Sequence, residues 1–261
     1  MTKQELKRFF YENLAKAGVE SALFEAGQLA ENTDPEKRDE TLKRRLGGEP
    51  LQYILGEWEF YGITLSVGDG VLIPRPDTET AVDTALSLLK GKKEAIVYDL
   101  CAGSGCIGIA VAKHSGAKVK FFEKSLDAIK YLAKNIETTA TNGEIINTDV
   151  LIAPEKRLYN TADMIISNPP YIRSDVVPTL SKEVHREPKM ALDGGEDGLI
   201  FYRFIASKWK HVIKKDGYLV FEIGFDQADE VKQIMENEGF SCVTVKKDLG
   251  GNNRVVYGKN I

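Results

Sequence analysis

Apolar residues along this chain change their spacing twice, and each change marks a different kind of structure. In residues 1 to about 48, Leu6, Phe9, Phe10 and Leu14 recur at i, i+3 and i+4, and Ala22, Leu23, Ala26 and Leu29 repeat the spacing, which predicts amphipathic helices. "NTDPEKRDETLKRRLGG" supplies a helix start at Thr33–Asp34–Pro35 and a stop at Gly47–Gly48, and its charges read as a solvated helix face. In "EFYGITLSVGDGVLIPRP" alternating apolar residues flank Gly68–Asp69–Gly70, which predicts a β-hairpin turning at those residues. From Ala95 onward the runs "AIVYDL", "KVKFFE", "EIINTD", "DMIISN" and "YLVFEIG" alternate with helical stretches. Such alternation predicts an α/β fold with a mostly parallel, doubly wound sheet. The tail "FSCVTVKKDLGGNNRVVYGKN" holds two strands around a Gly–Gly–Asn turn, an antiparallel hairpin at one edge. The pattern divides the chain into an N-terminal helical domain at 1–50, a β-hairpin and interdomain connection at 51–78, and an α/β domain at 79–261.

Composition narrows the function classes. Of 261 residues 43% are hydrophobic and 28% charged, as in soluble globular proteins. The formal net charge of −4 leaves no strongly basic field for a nucleic-acid backbone, so no stable nucleic-acid binding is expected. Cys101, Cys106 and Cys242 form no paired framework, which points to a reducing compartment. Without a second Cys/His pair they are not zinc ligands, and Cys101 and Cys106 read as small buried side chains; no metal is expected. "MTKQELKRFF" lacks an apolar leader core and no 18-residue apolar run occurs, so the expectation is a cytoplasmic protein with no membrane partner.

The loop after the first α/β strand, "DLCAGSGCIG", places Gly103, Gly105 and Gly108 in G-x-G-x-x-G, in strand-to-helix context. By itself the pattern also fits a ligand-free glycine turn. Two acids choose among ligands. Glu123 ends the next strand, where a carboxylate meets ribose hydroxyls. Asp99, just before the loop, is unfavourable beside a pyrophosphate and suits a cationic ligand. S-adenosyl-L-methionine carries an ammonium and a sulfonium and no phosphate. Its amino-acid end would lie over the loop at Gly103 and Gly105, where glycine permits close approach. Asp149, ending "EIINTD", sits where an acid accepts from the adenine amino group, with Val150 against the ring; it reads equally as a turn-forming strand cap.

"SNPPYI" then ends the fourth sheet strand. Paired prolines stop a strand and stiffen the residues after it. Ligands of such sheets lie outside the carboxyl ends of the strands, so Asn168 points into the crevice of the glycine loop. The Asn168 side-chain oxygen and the Pro169 carbonyl are two fixed acceptors, matched to a planar –NH₂, and Tyr171 offers an aromatic face. Acceptors drawing on both hydrogens raise electron density on a delocalised nitrogen and aim its lone pair at a methyl carbon. No strong general base is required.

At this point the chain resembles the PrmC/HemK family of bacterial release factor glutamine methyltransferases. "EPLQYILGEWEFYG", "VLIPRPDTE", "DLCAGSGCIGIA", "SNPPYI" and "EPKMALDGGEDGL" occur in the family's order, and the resemblance runs from about Leu46 to the C-terminus. It implies a class I S-adenosylmethionine-dependent methyltransferase domain behind a small helical domain and a hairpin. The implied reaction is N5-methylation of the Gly-Gly-Gln glutamine of class I peptide chain release factors, yielding S-adenosyl-L-homocysteine. Carried over by position, Cys101, Ala102, Gly103, Ser104 and Gly105 form the cofactor loop, with Glu123 on the ribose and Val150 beside the adenine. Asn168 touches cofactor and substrate, and Pro169, Pro170 and Tyr171 complete the glutamine pocket. Ala102 replaces a common hydroxyl residue of the family, and Val150 stands where some members have a large aromatic.

Other readings stay open on the residues alone. A ribosomal-protein glutamine methyltransferase would use the same pocket. A DNA adenine or RNA guanine amino-methyltransferase would flip a base against Tyr171, but needs a basic track that this chain lacks. A nicotinamide dehydrogenase is opposed by Asp99, and an inactive binding module by the intact Asp99, Gly103, Gly105 and Asn168. Arg75, Asp77 and Glu79 in "IPRPDTE" read as fixing the interdomain angle rather than meeting a partner.

Overall fold

Thr2 opens the first helix with a capping box: its hydroxyl accepts from the Glu5 N–H (3.2 Å), and the Glu5 carboxylate accepts from the Thr2 N–H (2.8 Å). From there a computed structural model describes residues 1–261. Helices α1 (Lys3–Lys16), α2 (Ala22–Asn32), α3 (Arg38–Leu46) and α4 (Leu51–Leu55) enclose a small core of Leu6, Phe10, Leu14, Ala26, Leu29 and Leu51. Asp34 accepts from the Glu36 N–H (3.1 Å) to start the 3₁₀ turn leading into α3. Leu23, in spite of its helical spacing, is 64% exposed beside exposed Phe24, because α2 turns Ala22, Ala26 and Leu29 inward instead. The helical unit also buries an ion pair, Glu25 to Arg45, with contacts of 2.5 and 2.9 Å.

The hairpin is β1 (Glu57–Phe60) and β2 (Ile63–Ser66), and it turns at Tyr61–Gly62 rather than at Gly68–Asp69–Gly70. Tyr61 and Gly62 both take positive φ, 52° and 71°, the geometry whose twist matches two antiparallel strands. Gly68 and Gly70 serve packing: a Cβ on either would run into Tyr131 or Asp127 of the following α/β unit. Phe60 and Leu65 of the hairpin enter the main core.

The α/β unit runs α5 (Glu79–Leu88), β3 (Ile96–Leu100), α6 (Cys106–Ser115), β4 (Lys118–Glu123), α7 (Leu126–Thr138), β5 (Gly143–Asn147), β6 (Ala162–Ser167), α8 (Ile200–Lys208), β7 (Ile213–Glu222), α9 (Ala228–Asn237), β8 (Phe240–Lys247) and β9 (Asn253–Asn260). The sheet has seven strands in the order β5-β4-β3-β6-β7-β9-β8. Strands β3 to β7 pair in parallel, and β9 and β8 close the edge antiparallel, which matches the fold class and the C-terminal hairpin read from the sequence. Both faces are covered, as parallel sheets require. Val97, Ile109, Val111, Phe121 and Leu132 pack on the α5–α6 side, and Tyr202, Trp209, Phe221 and Met235 on the α8–α9 side. Each such side chain contributes about 1.5–3 kcal/mol on full burial. No helix is long and apolar enough to cross a membrane.

Strand order reverses between β3 and β6, and two buried carboxyls stand at the strand ends nearby, Asp99 in β3 and Glu222 at the end of β7. Burial pushes Asp99 up to about 7 in spite of the Gly108 N–H bond, with the Glu123 charge adding to the rise. Glu222 rises to about 7 by burial, against the Thr78 hydroxyl and the Arg254 charge. A carboxyl that keeps its proton in the fold contributes stability that is complete below its unfolded pKa and lost as pH rises through the folded one. The stability of wild type relative to Glu222→Gln should therefore fall between the ordinary value of 4.5 and about 7, then level off. Urea unfolding at about pH 4.5, 6 and 8 measures it, and a difference that does not vary with pH would show that Glu222 titrates normally.

Candidate active site

β3 delivers the chain into a loop where Cys101 has φ 60° and Gly105 φ 82° before α6 begins. Asp99 lies beneath it: Oδ2 accepts from the Gly108 N–H (2.9 Å), and the buried Oδ1 has no partner. Glu123 ties the loop to the end of β4. Its Oε2 accepts from the Gly103 N–H (2.8 Å), and Oε1 from the N–H groups of Lys124 (2.8 Å) and Ser125 (2.7 Å). A carboxylate has about four lone-pair sites, so Oε2 keeps one acceptor position. Asp149 accepts from the Leu151 N–H (2.9 Å) and pairs with Lys124 Nζ (2.7 Å). Burial would raise its pKa, but these two partners bring it below the ordinary value. Val150 is buried, and its carbonyl accepts from Trp209 Nε1 (2.8 Å), which fixes that wall.

β6 meets β3 across the switch point, where Ser167 Oγ donates to the Leu100 carbonyl (2.6 Å). Asn168 follows, half-buried, and neither its side-chain amide nor the Pro169 carbonyl enters an intramolecular hydrogen bond. Tyr171 is half-buried against the α8-side core, its carbonyl accepts from Gln227 Nε2 (3.1 Å), and burial, then Glu222, pushes its hydroxyl up to about 12. Gly194 lies over this corner so closely that a Cβ there would stand 2.7 Å from the Pro170 carbonyl oxygen.

A cavity of about 310 Å³ opens at these strand ends. Cys101, Ala102, Gly103 and Ser104 line it from the loop, Glu123 from β4, Asp149 and Val150 beyond β5, and Asn168 and Pro170 beyond β6. Asp99, Gly105, Pro169 and Tyr171 are outside its lining. Cys101 and Cys106 are half-buried in the cavity wall rather than fully inside the core. Burial pushes both thiols up, so they stay protonated and are not nucleophiles. The structure adds a wall that the motifs did not reveal: Ile73, Arg75 and Thr78 from the connection, Pro188 and Met190 from the loop after Tyr171, and Phe201 from α8.

That wall is pinned by charge. Glu187, 5% exposed, accepts from the Ile73 N–H (3.0 Å) and pairs with Arg75. Asp77 pairs with Arg254 (3.1 Å), and Glu79 Oε1 accepts from the Tyr61 N–H (3.0 Å). The three charged residues of "IPRPDTE" thus all have partners inside the chain, while Arg75 also faces the cavity. The signal available in the sequence was this run of charge among prolines; its partners were not.

Comparison with known proteins agrees with this geometry. Residues 77–216 match the family model described as "Methyltransferase small domain". A protein of Fusobacterium nucleatum named release factor glutamine methyltransferase is 36% identical over 255 residues, covering 96% of this chain and 72% of its own length. A protein of the same name from Clostridium acetobutylicum is 43% identical over 213 residues, covering 79% and 74% respectively. Among solved structures, the hMettl16 catalytic domain shares the fold with a TM-score of 0.63 at 14% identity, covering 91% of this chain and 82% of its own. M. jannaschii TYW2, solved in complex with AdoMet, shares it with a TM-score of 0.52 at 19% identity, covering 78% and 84%. The length and identity of the curated matches, on a chain that carries the glycine loop and the Asn-Pro-Pro-Tyr corner at one switch point, place it by descent: it belongs to the release factor glutamine methyltransferase family.

Proposed function

We propose that this enzyme methylates the side-chain N5 of the Gly-Gly-Gln glutamine of class I peptide chain release factors, in the cytoplasm. The observation that carries the reading is the pair of unpartnered acceptors at the end of β6, the Asn168 amide oxygen and the Pro169 carbonyl, beside the cavity. Two acceptors match the two hydrogens of a primary amide, and the cavity's rigid wall of Pro170 and Pro188 excludes water around it.

The residues present fit S-adenosylmethionine. Asp99 and Glu222 each keep a buried oxygen without a partner, and a cationic ligand nearby would stabilise their ionised forms where an anionic one would oppose them. Glu123 has one acceptor position left for a ribose hydroxyl, Val150 presents an apolar surface for adenine, and Arg75 and Thr78 face the cavity as donors for a carboxylate. When bound, the cofactor supplies an electrophilic methyl carbon on a sulfonium. Asn168 and Pro169 hold the amide so that its nitrogen lone pair faces that carbon, and drawing on both hydrogens offsets the delocalisation that makes an amide a poor nucleophile. The extra proton on the methylated nitrogen is strongly acidic and leaves to Asn168, the Pro169 carbonyl or water. Tyr171 backs the corner from the core, with its hydroxyl kept protonated by burial.

Transfer of labelled methyl to an intact class I release factor, beside one with the Gly-Gly-Gln glutamine changed to alanine, tests the reading. Label is expected on the first and not on the second; label on neither, with a ribosomal protein or nucleic acid accepting it, would overturn the named substrate. Asn168→Ala should lower turnover by about 10²–10³ while leaving the fold and most cofactor affinity, the scale of losing one preorganised polar group in a reaction centre. Near wild-type turnover in that variant would sink the role of Asn168. Glu123→Ala should raise the cofactor dissociation constant by about tenfold or more, as expected for hydrogen bonds to a charged group. Calorimetry reads this directly, and an unchanged constant would remove Glu123 from the ribose.

A further inference from the structure

Arg45 of α3 does more than stabilise the helical unit. Its guanidinium is 6% exposed and grips Glu25 in a bidentate pair, which already neutralises it. One further donor of Nη2 reaches out of the unit to Glu183 Oε1 at 2.6 Å. Glu183 stands in the long loop after Tyr171, just before the 3₁₀ turn Val184–Arg186. Beside it, Arg186 Nη2 donates to the Gly47 carbonyl (3.3 Å), so the loop meets the helical unit at two neighbouring points. The other end of that short turn is Glu187, which holds Ile73 and Arg75 of the cavity wall. Pro188 and Met190, next in the chain, line the cavity. At its base the loop is closed by Ile172 N–H to the Leu192 carbonyl (2.9 Å) and Gly194 N–H to the Ile172 carbonyl (2.8 Å).

We propose that Glu183, acting through Arg45, is a positioning residue for the reaction: it anchors the loop to the helical unit and so sets the wall against which the substrate glutamine is held. The helical unit is then part of the machinery that shapes the cavity, whatever else it meets. The charge arrangement supports a positioning role over a purely stabilising one. Glu183 is 50% exposed, so its loss strands no buried charge, and Arg45 keeps Glu25. A tie of this kind contributes little to global stability but fixes one short turn.

The proposal rests on the glutamine-methylation reading for its kinetic arm and is independent of it for its structural arm. In Glu183→Gln, hydrogen exchange at the amides of Val184 to Glu187 should quicken about fivefold, the scale of a half-exposed ion pair. The KM for a short peptide centred on Gly-Gly-Gln should rise by a similar factor, about fivefold, with kcat, the cofactor dissociation constant and the unfolding midpoint unchanged. A raised KM that accompanies quickened exchange at Val184 to Glu187 reports the loop. Unchanged exchange, or faster exchange with an unchanged KM, would overturn the proposal. A wild-type enzyme that leaves the intact release factor unmethylated would sink the functional reading instead, and the exchange comparison would still decide whether Glu183 holds the loop.

Discussion

Everything at the site depends on one constraint of a parallel sheet: where strand order reverses, the chain leaves two adjacent strands in opposite directions and leaves their ends uncovered. Here β3 feeds α6 toward the β4 side, and β6 feeds the long loop toward the β7 side. Ser167 donating to the Leu100 carbonyl locks the two strand ends together at the rim. The glycine loop and the Asn-Pro-Pro-Tyr corner therefore face one another as a consequence of topology, although more than sixty residues separate them in sequence.

The electrostatics of that rim are uneven. Glu123 is spent largely on three backbone N–H groups, so its main structural contribution is to hold the glycine loop still. Asp149 is likewise engaged by Lys124 and the Leu151 N–H. The unsatisfied capacity sits on buried Asp99 and Glu222, and at half-buried Asn168 and the Pro169 carbonyl. A cationic ligand near buried carboxyls, whose ionised forms it would favour, and a neutral amide at two fixed acceptors are both compatible with this distribution. A phosphate over the loop would instead lie against the Glu123 carboxylate.

The helical unit and the connection are joined to the site by ion pairs with large sequence separation. Arg45 meets Glu183, Arg75 meets Glu187, and Arg254 meets Asp77. The first two pairs tie the helical unit and the connection to the loop after Tyr171, and the third ties the connection to β9. Such pairs contribute modestly to stability and strongly to orientation, because a guanidinium presents its donors in a fixed plane. The walls that shape the cavity are thus held by the same residues that join the units.

Much of the molecule was legible in residue order because local physics decided it. The period of the apolar runs separated α1 and α2 from the strands, the capped start before α3 stood where Asp34 and Pro35 place it, and the alternation after Ala95 fixed an α/β class. Glycine spacing and the two prolines after Asn168 marked the loops of the site. Where tertiary packing outweighed local preference, residue order misled: Leu23 has helical spacing and faces solvent, and Gly68 and Gly70 make room for α7 while Tyr61–Gly62 forms the turn. The lining wall of Ile73, Arg75 and Thr78, the buried Glu222, and the link from Arg45 to Glu183 were not readable at all. Sequence alone determined which elements form and which loops carry the glycine and Asn-Pro-Pro-Tyr motifs, since both depend on neighbours within a few turns of chain. Only the tertiary structure decided which side chains those motifs face, because burial and charge pairing across a hundred residues are properties of the packed sheet.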